Sequence, residues 1–293
     1  MKWNEIHLIA DRRAADLIAV VLDECGGSGC VFDEDGRVSP TVGITAYFAD
    51  GDVAALQQLR QRLHGIEAIN PHWHRFQLTA QIVDDKDWLY RWQAYFEATQ
   101  ISDHFWCVPA WESVNLPAGE EAICIDPGLA FGSGLHATTA LCVRFLEEVV
   151  NGGDLVFDIG TGTGILAIAA AKLGAAHVAA IDLDEQAVAQ AVVNIGLNDV
   201  SPVAEASTGD LLSTIPADGM KADVIVANLV TDAVLRLLPT VGVYMKDGAY
   251  LIVSGIIDER IDEVKAAAAT ASLAWCRAEL SDGWYAVLLR RRK

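Results

Sequence analysis

Over residues 1–85, short alternating runs of apolar and polar positions are separated by stretches with helical spacing. Trp3 to Ala10 alternates as a half-buried strand does. Ala14 to Leu22 then repeats apolar residues at helical spacing, and Gly26, Gly27 and Gly29 close that helix. Cys30 to Phe32 is a short strand, followed by the turn Asp33-Glu34-Asp35-Gly36. Gly43 to Phe48 is a third strand, Asp52 to Leu63 a second helix with Asp52 as N-cap, and Phe76 to Val83 a fourth strand. The order predicts a small α+β domain with a ferredoxin-like path.

The pattern changes at Asp85. Trp88, Trp92, Trp106 and Trp111 crowd into a connecting segment with Tyr90, Tyr95, Phe96 and Phe105. Leu89, Trp92 and Phe96 lie three and four apart, which places them on one face of a linker helix. We take the aromatics as packing for that linker. Beyond Pro117, strands and helices alternate. The run is Ala122–Ile125, Thr138–Val150, Leu155–Ile159, Ile165–Leu173, Val178–Ile181, Glu185–Leu197, Ala222–Asn228, Ala233–Val241 and Tyr250–Val253. Such alternation predicts an α/β domain with a mostly parallel sheet, covered by helices on both faces. Leu273–Leu280 and Trp284–Leu289 are separated only by Ser281-Asp282-Gly283, so the sheet finishes in an antiparallel hairpin. The expected organisation is a domain over 1–85, a linker over 86–112 and a second domain over 113–293.

Charge narrows the partners. The 293 residues carry 21 basic and 40 acidic side chains, a net charge of −19. That balance opposes a broad basic face for sequence-specific nucleic-acid binding and suits a cationic partner. The N-terminal residues lack an apolar signal core, and Lys172, Gly174 and His177 interrupt the most apolar window, Gly164 to Ile181. Six cysteines without a CxxC pair sit mostly in apolar stretches. The expectation is a cytoplasmic protein with reduced thiols and no membrane partner. His72 and His74 lack the companions that a metal site needs, so no metal is expected.

The densest chemistry lies in Asp158-Ile159-Gly160-Thr161-Gly162-Thr163-Gly164, between a buried strand and an apolar helix. Glycines there permit positive φ and close approach of the backbone to a ligand. The helix N-terminus beyond offers unpaired N–H groups. Asp182 ends the next strand, where a carboxylate accepts both hydroxyls of a ribose. The spacing is GxGxG with a leading acid, not the GxGxxG of dinucleotide enzymes, and no GxxxxGK[ST] occurs. This tight form resembles the S-adenosylmethionine loop of class I methyltransferases. A second glycine-rich loop, Asp126 to Thr139, leads into a helix whose first turn carries Thr138 and Thr139. Its length favours folding over a small ligand.

Taken together, Ile125 to Thr139, Asp158 to Gly164, Ala180 to Asp184 and Val226 to Leu229 resemble the PrmA family. These enzymes methylate the large-subunit ribosomal protein L-eleven (L11). Trp88-Leu89-Tyr90-Arg91-Trp92 and Val108-Pro109-Ala110-Trp111 are similar to the family's aromatic linker, so the resemblance covers nearly the whole chain. It implies a Rossmann-like class I methyltransferase domain behind a ferredoxin-like substrate-recognition domain. It also implies S-adenosylmethionine as cofactor, with S-adenosylhomocysteine as product. The partner would be ribosomal protein L11, free or ribosome-bound, methylated on lysine side chains and the N-terminal amine. Matched by position, the cofactor contacts would be Thr139, Gly160, Asp182 and Asn228, joined by Phe131, Gly162 and Asp158. Asp210 is our candidate for the adenine amino group. The family loop GTGTHPTT reads GSGLHATT here, with Leu135 and Ala137 replacing Thr and Pro, and Thr231 and Asp232 follow the Asn228 motif where Ala is common. Gln93 stands where a Lys is frequent. These departures leave every inferred cofactor contact in place.

The mechanism this implies is in-line displacement by a neutral amine, which mainly needs alignment and proximity. A lysine must first lose its proton, and desolvation in a closed site favours the neutral form. No residue is assigned as general base. His136 has a loop-capping role and a catalytic one as alternatives. Three other functions fit parts of the pattern: the same chemistry on another protein or a small-molecule amine, an NAD-dependent oxidoreductase, and a non-catalytic ribosome-associated binding protein.

Overall fold

The computed structural model describes residues 2–27, 30–33, 40–49, 51, 53–70, 72–84, 97–126, 136–216 and 218–292. The chain forms two compact units, Met1–Phe96 and Glu97–Lys293.

In the first unit, β1 (Lys2–Asp11), β2 (Cys30–Asp33), β3 (Thr41–Ala49) and β4 (Gln77–Asp84) form one sheet of order β2-β3-β1-β4, with every neighbouring pair antiparallel. Helices α1 (Ala15–Glu24) and α2 (Val53–Ile69) complete the ferredoxin-like path. Alternation does the work here. Val42, Ile44, Ala46 and Phe48 of β3 join Ile6, Leu8 and Ala10 of β1 in a core with Ile18, Leu22, Leu59 and Leu63 from the helices. The expected N-cap Asp52 and the expected linker helix through Leu89, Trp92 and Phe96 lie outside the described residues.

The second unit opens with a three-stranded sheet: β5 (Thr99–Gln100), β6 (Phe105–Pro109) and β7 (Glu121–Ile125), in that order. A seven-stranded sheet follows. Its strands are β8 (Leu155–Ile159), β9 (His177–Asp182), β10 (Ala204–Thr208), β11 (Ala222–Asn228), β12 (Met245–Ile257), β13 (Leu273–Ser281) and β14 (Trp284–Arg291). The order β10-β9-β8-β11-β12-β14-β13 is parallel through β12, and β14 runs antiparallel to both neighbours. Helices α3 (Ala137–Val149), α4 (Ile165–Lys172), α5 (Glu185–Leu197), α6 (Thr231–Val241) and α7 (Ile261–Thr270) complete the unit. All five residues of β8 are buried, with Val156 in one core and Phe157 in the other, so both faces are covered. Strand order reverses at β8, which fixes the carboxyl edge beside it as the place for a ligand.

Several expectations are corrected. Ala122–Ile125 forms a strand but pairs with β6, outside the large sheet; alternation specifies a strand and says nothing of its partner. Residues 97–112, expected in the linker, carry β5 and β6, with Phe105, Cys107 and Val108 buried. Strand β10 and helix α7 were not anticipated. Ala204-Glu205-Ala206-Ser207-Thr208 lacks strong strand formers and survives as an edge strand, while α7 buries only Val264 and Ala268. The final hairpin turns through Asp282 and Gly283, both at positive φ, the geometry a tight two-residue turn requires. Burial pushes the Cys107 and Cys142 thiols up to about 12, which makes them inert. Among the described residues, no helix is long and apolar enough to cross a membrane.

Candidate functional site

The glycine loop follows β8 directly. Gly160, Gly162 and Gly164 take φ of +73°, +53° and +85°, a run that side chains with a Cβ resist. A Cβ on Gly160 would stand 2.2 Å from Leu229 Cδ2, and one on Gly164 would stand 3.2 Å from Ala191 Cβ of α5. The first glycine admits the β11 loop above it, and the third lets α5 pack closely. Backbone N–H groups of Gly160 and Thr161 both donate to Ile181 O, at 2.7 and 3.0 Å, tying the loop to the end of β9.

Two carboxylates organise this loop from different sides. Asp158 is fully buried. Its Oδ2 accepts from Thr161 Oγ1 at 2.6 Å and from the Ala167 N–H at 3.0 Å, so it binds the loop and caps the first turn of α4. Its Oδ1 is buried with no partner among the described residues. Burial pushes the Asp158 carboxyl up to about 7, against the lowering effect of those two hydrogen bonds. Asp182 is half-buried at the end of β9. Its Oδ2 accepts from the Gly162 N–H at 2.8 Å and its Oδ1 from the Asp184 N–H at 3.0 Å. Its orientation is therefore set by backbone before any ligand arrives.

Asn228 closes β11 across the strand-order reversal. Its Nδ2 donates to Thr138 Oγ1 at 3.1 Å and to Thr139 Oγ1 at 3.5 Å, joining it to the first turn of α3. Thr138 Oγ1 lies 2.7 Å from His136 Nδ1, and the Thr138 N–H reaches the same nitrogen at 3.3 Å. With Asn228 donating to Thr138, the hydroxyl proton points to Nδ1, so His136 serves as the N-cap of α3. The His136 ring also meets Trp284 of β14 edge-on, with centroids 5.5 Å apart. Leu229 is clamped from both sides. Its side chain covers Gly160, and its carbonyl lies 2.2 Å from where a Gly255 Cβ would be.

The fold thus gathers Thr139, Asp158, Gly160, Gly162, Asp182 and Asn228 at or just beyond the carboxyl ends of β8, β9 and β11, with α3 alongside. Asp210 follows β10 on the same edge, but both its oxygens accept from Arg236 Nη2, at 3.1 and 3.0 Å. Phe131 lies outside the described residues, as do Leu135 and the rest of 127–135. Sequence reasoning missed the Leu229–Gly160–Gly255 clamp and the Trp284 contact. Gly255, a glycine inside the apolar run Leu251–Ile257, was the available signal for the clamp, and the structure gives it positive φ beside a shift in strand register. A left-handed glycine cradle that lets a ligand approach the backbone, a carboxylate acceptor held at its rim and a carboxamide opposite are chemically suited to an S-adenosylmethionine molecule. Among the described residues, no group of three or more His, Cys, Asp or Glu is placed to hold a metal ion.

Comparison with known proteins finds relatives over nearly the full length. The family model for ribosomal protein L11 methyltransferase (PrmA) matches residues 2–292. A ribosomal protein L11 methyltransferase of Streptococcus mutans is 36% identical, covering 99% of this chain and 96% of the relative. One from Symbiobacterium thermophilum is 37% identical, over 98% of this chain and 99% of that one. Among solved structures, the ribosomal protein L11 methylase of Lactobacillus delbrueckii subsp. bulgaricus is 34% identical with a TM-score of 0.63. It covers 68% of this chain and 100% of its own.

Proposed function

The chain belongs to the ribosomal protein L11 methyltransferase (PrmA) family, and from that premise we propose how its residues carry out the reaction. It is an S-adenosylmethionine-dependent protein methyltransferase, and its substrate is ribosomal protein L11. The methyl acceptors are lysine side-chain and N-terminal amino groups. The observation that carries the reading is the Gly160–Asp182–Asn228 arrangement around the strand-order reversal. When bound, S-adenosylmethionine supplies a methyl group already activated on sulfonium. Gly160 and Gly162 present backbone to its methionyl end, and Asp182 accepts from its ribose hydroxyls. Thr139 and Asn228 orient the methionyl group and the incoming amine from the opposite side. Asp158 acts from beneath, holding the loop's shape. Phe131 and Asp210 complete the proposed set, with Asp210 releasing Arg236 to take the adenine amino group.

Alignment and exclusion of water do most of the catalytic work, because the leaving group needs no protonation. The acceptor amine must be neutral, and a site that removes it from water favours that form. The first unit is the substrate-recognition domain. The enzyme meets L11, free or on the ribosome, in the cytoplasm. A net charge of −19 steers a basic ribosomal protein inward.

Incubation with labelled S-adenosylmethionine and purified L11 tests this reading: label moves to L11, and S-adenosylhomocysteine suppresses the transfer. Failure to label L11, beside a relative that does so, overturns it. Stabilisation against heat by NAD but not by S-adenosylhomocysteine would instead favour the oxidoreductase alternative.

A further inference from the structure

Helix α5 and its C-cap present three side-chain amides, Gln190, Asn194 and Asn198, spaced four residues apart toward the outer edge of β7. Asn198 Oδ1 accepts from the Cys124 N–H at 2.9 Å and its Nδ2 donates to Cys124 O at 2.7 Å. One turn earlier, Asn194 repeats the pattern two residues further along the chain, just past the end of β7. Its Oδ1 accepts from the Asp126 N–H at 2.8 Å, and its Nδ2 donates to Asp126 O at 3.0 Å. Gln190 Nε2 donates to the same Asp126 carbonyl at 2.7 Å. The match is metrical. Four helical residues rise about 6 Å, close to the roughly 6.7 Å of two strand residues. The carboxamides therefore stand where a neighbouring strand's peptide groups would be, and they satisfy the edge of a three-stranded sheet.

Asn194 does one thing that Asn198 does not. Its Nδ2 also donates to Thr163 O at 2.8 Å, inside the cofactor loop. Asn194 and Thr163 are both fully buried, and Thr163 sits between Gly162, whose N–H is held by Asp182, and Gly164, the N-cap of α4. One buried carboxamide thus joins the residue after β7 to the glycine loop. Asn198 spends its second donor on the Asn194 carbonyl of its own helix, at 2.8 Å.

We propose that Asn194 is a positioning residue for methyl transfer, holding the glycine loop in its cofactor-binding shape by bridging Asp126 and Thr163. The proposal rests on the cofactor reading above. Asn198, the C-cap residue one turn on, is the matched control. It has the same side chain and brackets a residue two positions earlier in the chain, with side-chain bonds to Cys124 and Asn194 and, among the described residues, none to the loop.

The test compares Asn194→Ala with Asn198→Ala in the full chain. S-adenosylhomocysteine affinity is measured by calorimetric titration, KM and kcat by methyl transfer at varied S-adenosylmethionine, and Tm by scanning calorimetry. We expect Asn194→Ala to weaken S-adenosylhomocysteine about 10-fold and lower kcat by up to about 100-fold, since small misplacements remote from the chemistry cost that much. Asn198→Ala should lower Tm while affinity and kcat stay within about 2-fold. If Asn194→Ala does not fold, Asn194→Ser, compared with Asn198→Ser, should show the same split in smaller degree. Equal effects of the two substitutions, or no change in affinity from either, overturn the proposal while the cofactor reading stands. Wild-type protein that fails to bind S-adenosylhomocysteine overturns both.

Discussion

The two main sheets apply the same strand geometry to different ends. In β3, fully and partly buried residues alternate, and the fully buried ones pack in one core with α1 and α2. The opposite face carries a buried carboxylate, Glu5: Tyr47 Oη donates to its Oε2 at 3.1 Å, and Gln81 donates to its other oxygen. In β8, by contrast, every residue is buried and helices cover both faces. A sheet with its core on one side can offer the other side to another protein. A sheet covered on both sides has only its edges, and chemistry collects where the strand order reverses. On the function proposed above, the first unit recognises the substrate and the second holds the cofactor.

The division of labour can be broken by experiment. Phe48 is fully buried in the first unit's core, so Phe48→Ala should destabilise that unit by about 3–5 kcal/mol. Calorimetry should show the loss, KM for L11 should rise, and S-adenosylhomocysteine affinity should not change. A parallel fall in cofactor affinity would break the comparison. A smaller but more local effect is expected at the loop. Gly160→Ala forces a side chain into left-handed backbone beneath Leu229 and should weaken S-adenosylhomocysteine by about 100-fold, with KM for L11 little altered. Asp182→Asn keeps one acceptor oxygen and removes the charge, so the loss should be about 10-fold by the same titration.

The smallest effect sharpens the picture of Asp158. Its folded carboxyl titrates at about 7, above the 3.8 of an unperturbed group. Between those values the folded chain holds a proton that the unfolded chain has released, so stability should fall as pH rises through that window. Asp158→Asn should flatten this slope in denaturation measured from pH 4 to 8, while substitutions in the first unit leave it unchanged.

Legibility in the sequence follows the same contrast. The first unit's path was readable because alternation marks a one-sided sheet, and the limits of α5 were readable because Asp184 caps an amphipathic period. Asp182 and the glycines were readable because their spacing is imposed by the turn they make. Strand β10 escaped because an exposed edge tolerates Ala, Ser and Glu, and the partner of β7 escaped because alternation carries no address. Asn194 escaped for a deeper reason. A lone Asn in a helix is unremarkable in sequence, and the role proposed for it depends on Asp126, 68 residues away.

The most direct test of the whole account is mass spectrometry of ribosomal protein L11 after incubation with this enzyme and S-adenosylmethionine. The account predicts added methyl groups on lysine side chains and on the N-terminal amine, absent when Gly160→Ala replaces the wild-type enzyme. L11 that emerges unmodified, from a preparation that a related L11 methyltransferase does modify, would contradict it.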